Sequence, residues 1–189
     1  MGLRDVLFGR KQLTAPADER LFALSTARVT LDTELGLKPG GAAAVVFKPL
    51  SSGTFERVGA DVEQLLEASA KDTGSKIERT TDSLGFEWVV IRDPDLEDLV
   101  TSAHAIGSEF IAQGFGPQLL AAVFRFEGGE HPVYWIYGYK RGKFWPFIPT
   151  GEGQSRDNAG ELELKAKLEH ELPIEEDLSR WLALFDAPI

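Results

Sequence analysis

The chain has 189 residues, with 30 Asp and Glu against 20 Lys and Arg, and it contains no cysteine. The absence of thiols excludes disulfides, thiol nucleophiles and thiolate metal sites. A net charge of -10 lacks the basic footprint that nucleic acid or an anionic bilayer demands. Hydrophobic residues make up 43%, and no apolar run approaches the roughly 18 residues of a membrane-spanning helix. A single domain over 1–189 with no stable membrane insertion is therefore expected. The start, MGLRDVLFGRKQL, lacks the apolar core of a secretory signal, so the expected location is cytoplasmic.

Residues 1–15 form a locally basic N-terminal segment, with Leu3, Val6 and Leu7 on one side of a short amphipathic turn. Pro16-Ala17-Asp18 predicts a helix start, and Leu21, Leu24, Leu31 and Leu35 continue at helical spacing to Gly36. Pro39-Gly40-Gly41 reads as a break, and Ala42–Lys48 as a short buried strand ended by Pro49. Phe55, Val58, Val62, Leu65 and Leu66 predict an amphipathic helix over about 54–71. Ser75–Thr81 and Phe86–Arg92 read as strands joined by the turn Asp82-Ser83-Leu84-Gly85. Asp93 as N-cap and Pro94 at the first helical position then predict a helix ending at Gly114.

Gln118–Glu127 is the most strand-like apolar run. A four-residue loop, Glu127–Glu130, suits Pro132, whose missing N–H then falls in a non-hydrogen-bonded pair. Past residue 150, Asp157 or Asn158 caps a helix carrying Leu164 and Leu168, and a last helix over about 175–185 offers Leu178, Trp181, Leu182 and Phe185. Residues 151–189 hold ten acids and four Lys or Arg. The order α-β-α-β-β-α-β-β-β-α-α predicts an α+β fold. It has an antiparallel-rich sheet of about six strands, helices mainly on one face, and a C-terminal helical pair. Its core is ferredoxin-like through a βαββαβ segment, or secretion-chaperone-like if the second helix is an insertion.

Tyr134–Pro149, YWIYGYKRGKFWPFIP, stands out: seven aromatics, three Lys or Arg residues and no acid in an acidic chain. It predicts a β-hairpin. With Arg141-Gly142 as a two-residue turn, Lys140 faces Lys143, Tyr139 faces Phe144, Gly138 faces Trp145, Tyr137 faces Pro146 and Ile136 faces Phe147. Pro146 then suits an edge strand, and Gly138 leaves room for an indole. Both faces are apolar, so the second face, with Tyr134, Ile136, Trp145 and Phe147, is covered either by the acidic C-terminal part or by a partner. These four residues with Lys140, Arg141 and Lys143 form the candidate partner surface, of types common at interface hot spots.

Chemistry-bearing motifs are sparse. His104, His131 and His170 have no metal-ligand spacing, and no nucleophile elbow, P-loop or dinucleotide fingerprint occurs. No cofactor, metal or catalytic residue is assigned, which favours a non-enzymatic role. The alternative is a small-molecule binder or enzyme with a pocket between sheet and helices, using Arg141, Asp157 and Asn158 as polar groups.

The stretches LSTARVTLDTELGLKPGGAAAVVFKPL, WVVIRDPDLEDLVTSAHAI, GFGPQLLAAVFRF, YWIYGYKRGKFWPFIP and RDNAGELELKAKLEHELPIEEDLSRW, together spanning nearly the whole chain, resemble the actinobacterial PspA-associated family PspAB. The resemblance implies a cytoplasmic adaptor or regulator in the phage-shock-type envelope-stress response. Implied partners are a PspA-type membrane-stress protein or an HtpX-like membrane protease. It supplies no catalytic residues.

Overall fold

The computed structural model describes residues 19–50, 74–151 and 153–189, together with 53, 55, 57, 59, 60, 62 and 64. The N-terminal segment, the helix start at Pro16 and the end of the helix expected over 54–71 lie outside these residues. Six strands form one antiparallel sheet: β1 Lys38–Phe47, β2 Lys76–Thr81, β3 Glu87–Arg92, β4 Leu119–Glu127, β5 Val133–Gly138 and β6 Lys143–Phe147, in the order β2-β3-β1-β4-β5-β6. Three α-helices accompany them, α1 Ala23–Thr33, α2 Leu96–Ala112 and α3 Asn158–Leu168. The described residues from 53 to 64 are helical as well.

β1 and β2 both run antiparallel to β3, which lies between them; β3 and β4 flank β1 in the same way. Two split β-α-β units are thus interleaved, which is the ferredoxin-like alternative for the core. β5 and β6 extend it as a meander. One face of the sheet packs on helices. Phe47 of β1 meets Phe110 of α2 at 4.9 Å and Phe55 at 5.9 Å, and Phe115 closes the cluster against Phe55 at 5.2 Å. Offset and edge-on rings add about 1 kcal/mol per pair beyond their burial.

Several boundaries differ from the sequence expectation, each for a local reason. β1 begins at Lys38, and Pro39-Gly40-Gly41 is an irregularity inside the strand rather than a break before it. Gly40 has no room for a Cβ, which would lie 2.9 Å from Arg125 Cγ. The N-cap of α2 is Asp95, whose carboxylate accepts from the Glu97 amide, while buried Asp93 accepts from the Asp95 amide one turn earlier. The β4–β5 connection pairs Phe126 with Val133, so Pro132 lies outside the ladder instead of opposite a partner.

The C-terminal helical pair is present in its first member alone. After α3, residues 178–180 make one 3-10 turn and the chain continues without regular structure to Ile189, with a turn at 185–186. A helix would need the carbonyls of Trp181 and Leu182 for its own amides. Here Arg156 Nη1 donates to Trp181 O at 2.9 Å and Trp145 Nε1 to Leu182 O at 3.0 Å. Side chains anchored on the sheet have taken the helical acceptors.

β6 is an edge strand, as Pro146 requires, and its outer rim is sealed. The Phe144 amide donates to Pro173 O and its carbonyl accepts from Glu175 N. The Ile148 amide donates to Glu161 Oε1, and its carbonyl accepts from Asp157 N. Pro146, between them, has no N–H to satisfy. Glu161 is buried and also receives Arg156, whose Nε donates to Oε1 and Oε2 at 2.9 Å. Glu161 is thus turned away from Lys165, its i,i+4 neighbour; Lys165 pairs with Glu169 and Lys167 with Glu163.

Two outcomes follow for stability. Glu161→Ala strips half-buried Arg156 and the buried Ile148 amide of their acceptor and should cost about 3 kcal/mol. Glu163→Ala, which breaks the exposed pair with Lys167, should cost under about 0.5 kcal/mol. Urea titrations returning equal costs for the two would contradict the sealed-edge account. Separately, a Cβ on Gly107 of α2 would lie 2.6 Å from Tyr139 Cε1. Gly107→Ala should therefore destabilise by about 1–3 kcal/mol through overpacking, although Gly→Ala in a helix ordinarily gains about 1 kcal/mol. The change should become stabilising in a Tyr139→Ala background, read by thermal unfolding of all four proteins.

Candidate functional site

The hairpin forms with the same faces as expected but a longer loop. Gly138 pairs with Lys143, Tyr137 with Phe144, Ile136 with Trp145, Trp135 with Pro146 and Tyr134 with Phe147. Relative to a two-residue turn at Arg141-Gly142 the register has moved by two residues, so Tyr139–Gly142 is a four-residue loop. A shift of two leaves every side chain on its own face. Gly142 takes φ +62° and its amide donates to Gly138 O, which closes the loop. Gly138 keeps its expected role diagonally: a Cβ there would lie 2.9 Å from the Trp145 ring.

Trp135, Tyr137, Tyr139 and Phe144 face the helices. Tyr139 donates its hydroxyl to Ala103 O of α2 at 3.0 Å, and this ties the loop to the helix layer. Ile136, Trp145 and Phe147 of the candidate partner surface are buried on the opposite face, and Tyr134 is half-buried there. The chain's own C-terminal strap, residues 181–189, covers them. Phe185 packs edge-on to Phe147 at 5.0 Å, Tyr134 donates its hydroxyl to Ile189 O at 3.1 Å, and Arg92 reaches Pro188 O. Burial raises the Tyr134 hydroxyl above its ordinary pKa, with Arg125 opposing and Glu127 adding to the rise.

The cations at the tip are answered unequally. Arg141 Nε stands 3.8 Å from Glu175 Oε2, and Arg180 shares the same carboxylate at 3.5 Å. Lys140 and Lys143 make no ion pair among the described residues. Asp177, paired with Arg180, has a carboxyl held low by the hydroxyl and amide of Ser179, with Arg180 and Arg141 adding to this. The structure does not bring Asp157 and Asn158 to the tip. Asp157 caps α3 through the Gly160 amide and Asn158 is exposed on the first turn.

A cavity of about 1340 Å³ runs beside the strap and the hairpin tip, lined by Trp88, Ala121 and Trp145 of the second sheet face and also by Tyr139 and by Ile111 of α2. Lys140, Arg141, Lys143 and Arg180 stand at one end. Asp82 and Asp186 stand at the other, beside Trp88. Burial pushes the Asp82 carboxyl up, but hydrogen bonds from Trp88 Nε1 and the amides of Phe86, Leu84 and Gly85 outweigh it and hold it below its usual range. Sequence reasoning missed this cavity because it runs beside the irregular strap, where helical periodicity pointed to a helix. Asp157 and Asn158 do not line it.

No helix among the described residues is long and apolar enough to cross a membrane. No curated protein and no solved structure matches the chain. The family model PspAB, described as PspA associated protein B, matches residues 1–189. That match spans the aromatic hairpin, its basic tip and the strap alike, and the chain belongs to the PspAB family.

Proposed function

We propose that the protein is a non-enzymatic adaptor or regulator in a phage-shock-type envelope-stress response, acting by protein–protein contact with a PspA-type partner. The family description supports a role linked to PspA. It names no protease, so the HtpX-like partner implied by resemblance has no such support. The observation that carries the reading is the pair Lys140 and Lys143, cations that make no ion pair among the described residues, on a chain of net charge -10. Lys140 sits on the loop fixed to α2 through Tyr139 and Lys143 opens β6 beside it, so a partner meets a preorganised surface and loses little ordering entropy. Leu120 and Leu182, both exposed, lie along the same end and supply apolar area beside the charge.

With the second face strapped over, Tyr134, Ile136, Trp145 and Phe147 support the surface from beneath, and contact is made by Lys140, Arg141 and Lys143. Lys140→Glu with Lys143→Glu, leaving the Arg141–Glu175 pair intact, should lower capture of PspA from crosslinked native lysate at least tenfold, about 1.4 kcal/mol. Lys165→Glu with Lys167→Glu on α3 serves as the equal-charge control and should leave capture unchanged. Unaltered capture by the folded tip variant would show that the contact lies elsewhere.

A further inference from the structure

The strap and the β6 rim are held in opposite ways. The rim is bonded backbone to backbone, Phe144 with Pro173 and Glu175. Past Trp181 the strap makes no such bond to a strand among the described residues; the amides of Leu182 and Ala187 donate locally, to Arg180 O and Leu184 O. It is held instead by side chains of the sheet that reach its carbonyls. Trp145 Nε1 donates to Leu182 O at 3.0 Å, Tyr134 to Ile189 O at 3.1 Å and Arg92 Nη2 to Pro188 O at 3.5 Å. One strap ring adds to these, Phe185, edge-on to Phe147 with centroids 5.0 Å apart. The near end is fixed by buried Trp181, whose Nε1 donates to Glu175 O.

Every residue has a carbonyl, so the sheet's donors read backbone, and the slot on Phe147 reads a side chain. Main-chain bonds for affinity and a side-chain pocket for specificity are how a protein surface recognises a peptide. We propose that the aromatic face is a peptide-binding site and that the strap, from Leu182 onward, is its resident and displaceable occupant. The occupant that replaces it is a non-helical partner segment carrying an aromatic side chain for the Phe147 slot. The strap itself shows this chemistry seated on the face. Displacement is a local event: it breaks three bonds to carbonyls, releases the Phe185 and Ile189 side chains and leaves the strand ladder whole. It uncovers Ile136, Trp145 and Phe147, an aromatic set of the kind that dominates interface energetics. While tethered, the strap acts at an effective concentration on the order of millimolar, so a free peptide competes poorly. A partner held at Lys140 and Lys143, which line the same cavity as Trp145 and Leu182, gains the same advantage; this last step rests on the partner reading above.

The probe is a fluorescein-labelled peptide of the strap itself, LALFDAPI, residues 182–189, titrated into the full chain and followed by anisotropy. Phe185→Ala in the full chain empties the Phe147 slot without shortening the protein. It should bind the peptide saturably, 1:1 and at least tenfold tighter than the unaltered chain does. The same peptide carrying Phe185→Ala should bind at least tenfold more weakly. If the Phe185→Ala chain does not fold, Tyr134→Phe, which removes the hydroxyl on Ile189 O and keeps the ring, should tighten peptide binding at least threefold. Lys140→Glu with Lys143→Glu, added to the loosened chain, should leave peptide binding within twofold, because the peptide sits on the face and not on the tip. No saturable binding to a folded loosened chain, equal binding of the two peptides, or loss of binding on altering the tip would each overturn the proposal. The loosened chain should also capture more PspA than the unaltered one; capture that does not rise while peptide binding holds would strike the partner reading alone.

Discussion

The second face of the sheet depends on one ion pair, half-buried Arg156 with buried Glu161. Glu161 accepts from Arg156 and from the Ile148 amide, so one carboxylate joins the end of β6 to α3. Arg156 then spends its remaining donors outward: Nη1 holds Trp181 O, and the guanidinium lies over the Phe147 ring at 5.1 Å. Four parts of the chain meet at these two residues: the edge strand, α3, the 3-10 turn and the strap. A buried pair gains little stability over an apolar replacement, because desolvation offsets attraction. Its effect here is to choose a geometry. It consumes the carbonyl that a helix over 181–185 would have used, and so keeps the strap out of a helix.

That choice determines what the aromatic hairpin becomes. With both faces apolar, it needs two covers. Helix α2 supplies one, and Gly107 lets the Tyr139 ring lie against the helix closely enough to reach Ala103 O. The strap supplies the other through Phe185, Leu182 O and Ile189 O. Because the strap is irregular chain with one turn at 185–186, it contacts the face at separated points, and a cavity remains beside it. Two packed helices would have filled it.

The fold class, the element order and the hairpin's two faces were legible in the sequence because they rest on parity and periodicity. A loop longer by two residues changes partners but not faces, so Tyr134, Ile136, Trp145 and Phe147 stay together either way. Edge position was legible through Pro146 for a similarly local reason. The strap was not legible. Leu178, Trp181, Leu182 and Phe185 have helical spacing, and what overrides it comes from Arg156 and Trp145, distant in sequence. Register inside β1 was hidden too, since the Arg125 side chain that presses on Gly40 is known from tertiary packing alone. The candidate site was legible in its charges and illegible in its cavity, because a cavity is a property of the covering layer.

The unequal answer to the three tip cations bears on selection between partners. Glu175 is nearly buried and divided between Arg141 and Arg180, so it has no capacity left for the lysines. An acid placed to neutralise Lys140 or Lys143 would have cost little in a C-terminal part carrying ten acids. Surface pairs contribute under about 1 kcal/mol either way, so stability does not decide the matter. What Lys140 and Lys143, without an ion pair among the described residues, do alter is the local field. Against a net negative chain, one charge on the loop and one at the start of β6 attract an acidic surface to the hairpin tip. The Tyr139 anchor then matters as much as the charge, because a field held at a fixed position by α2 discriminates by geometry as well as by sign.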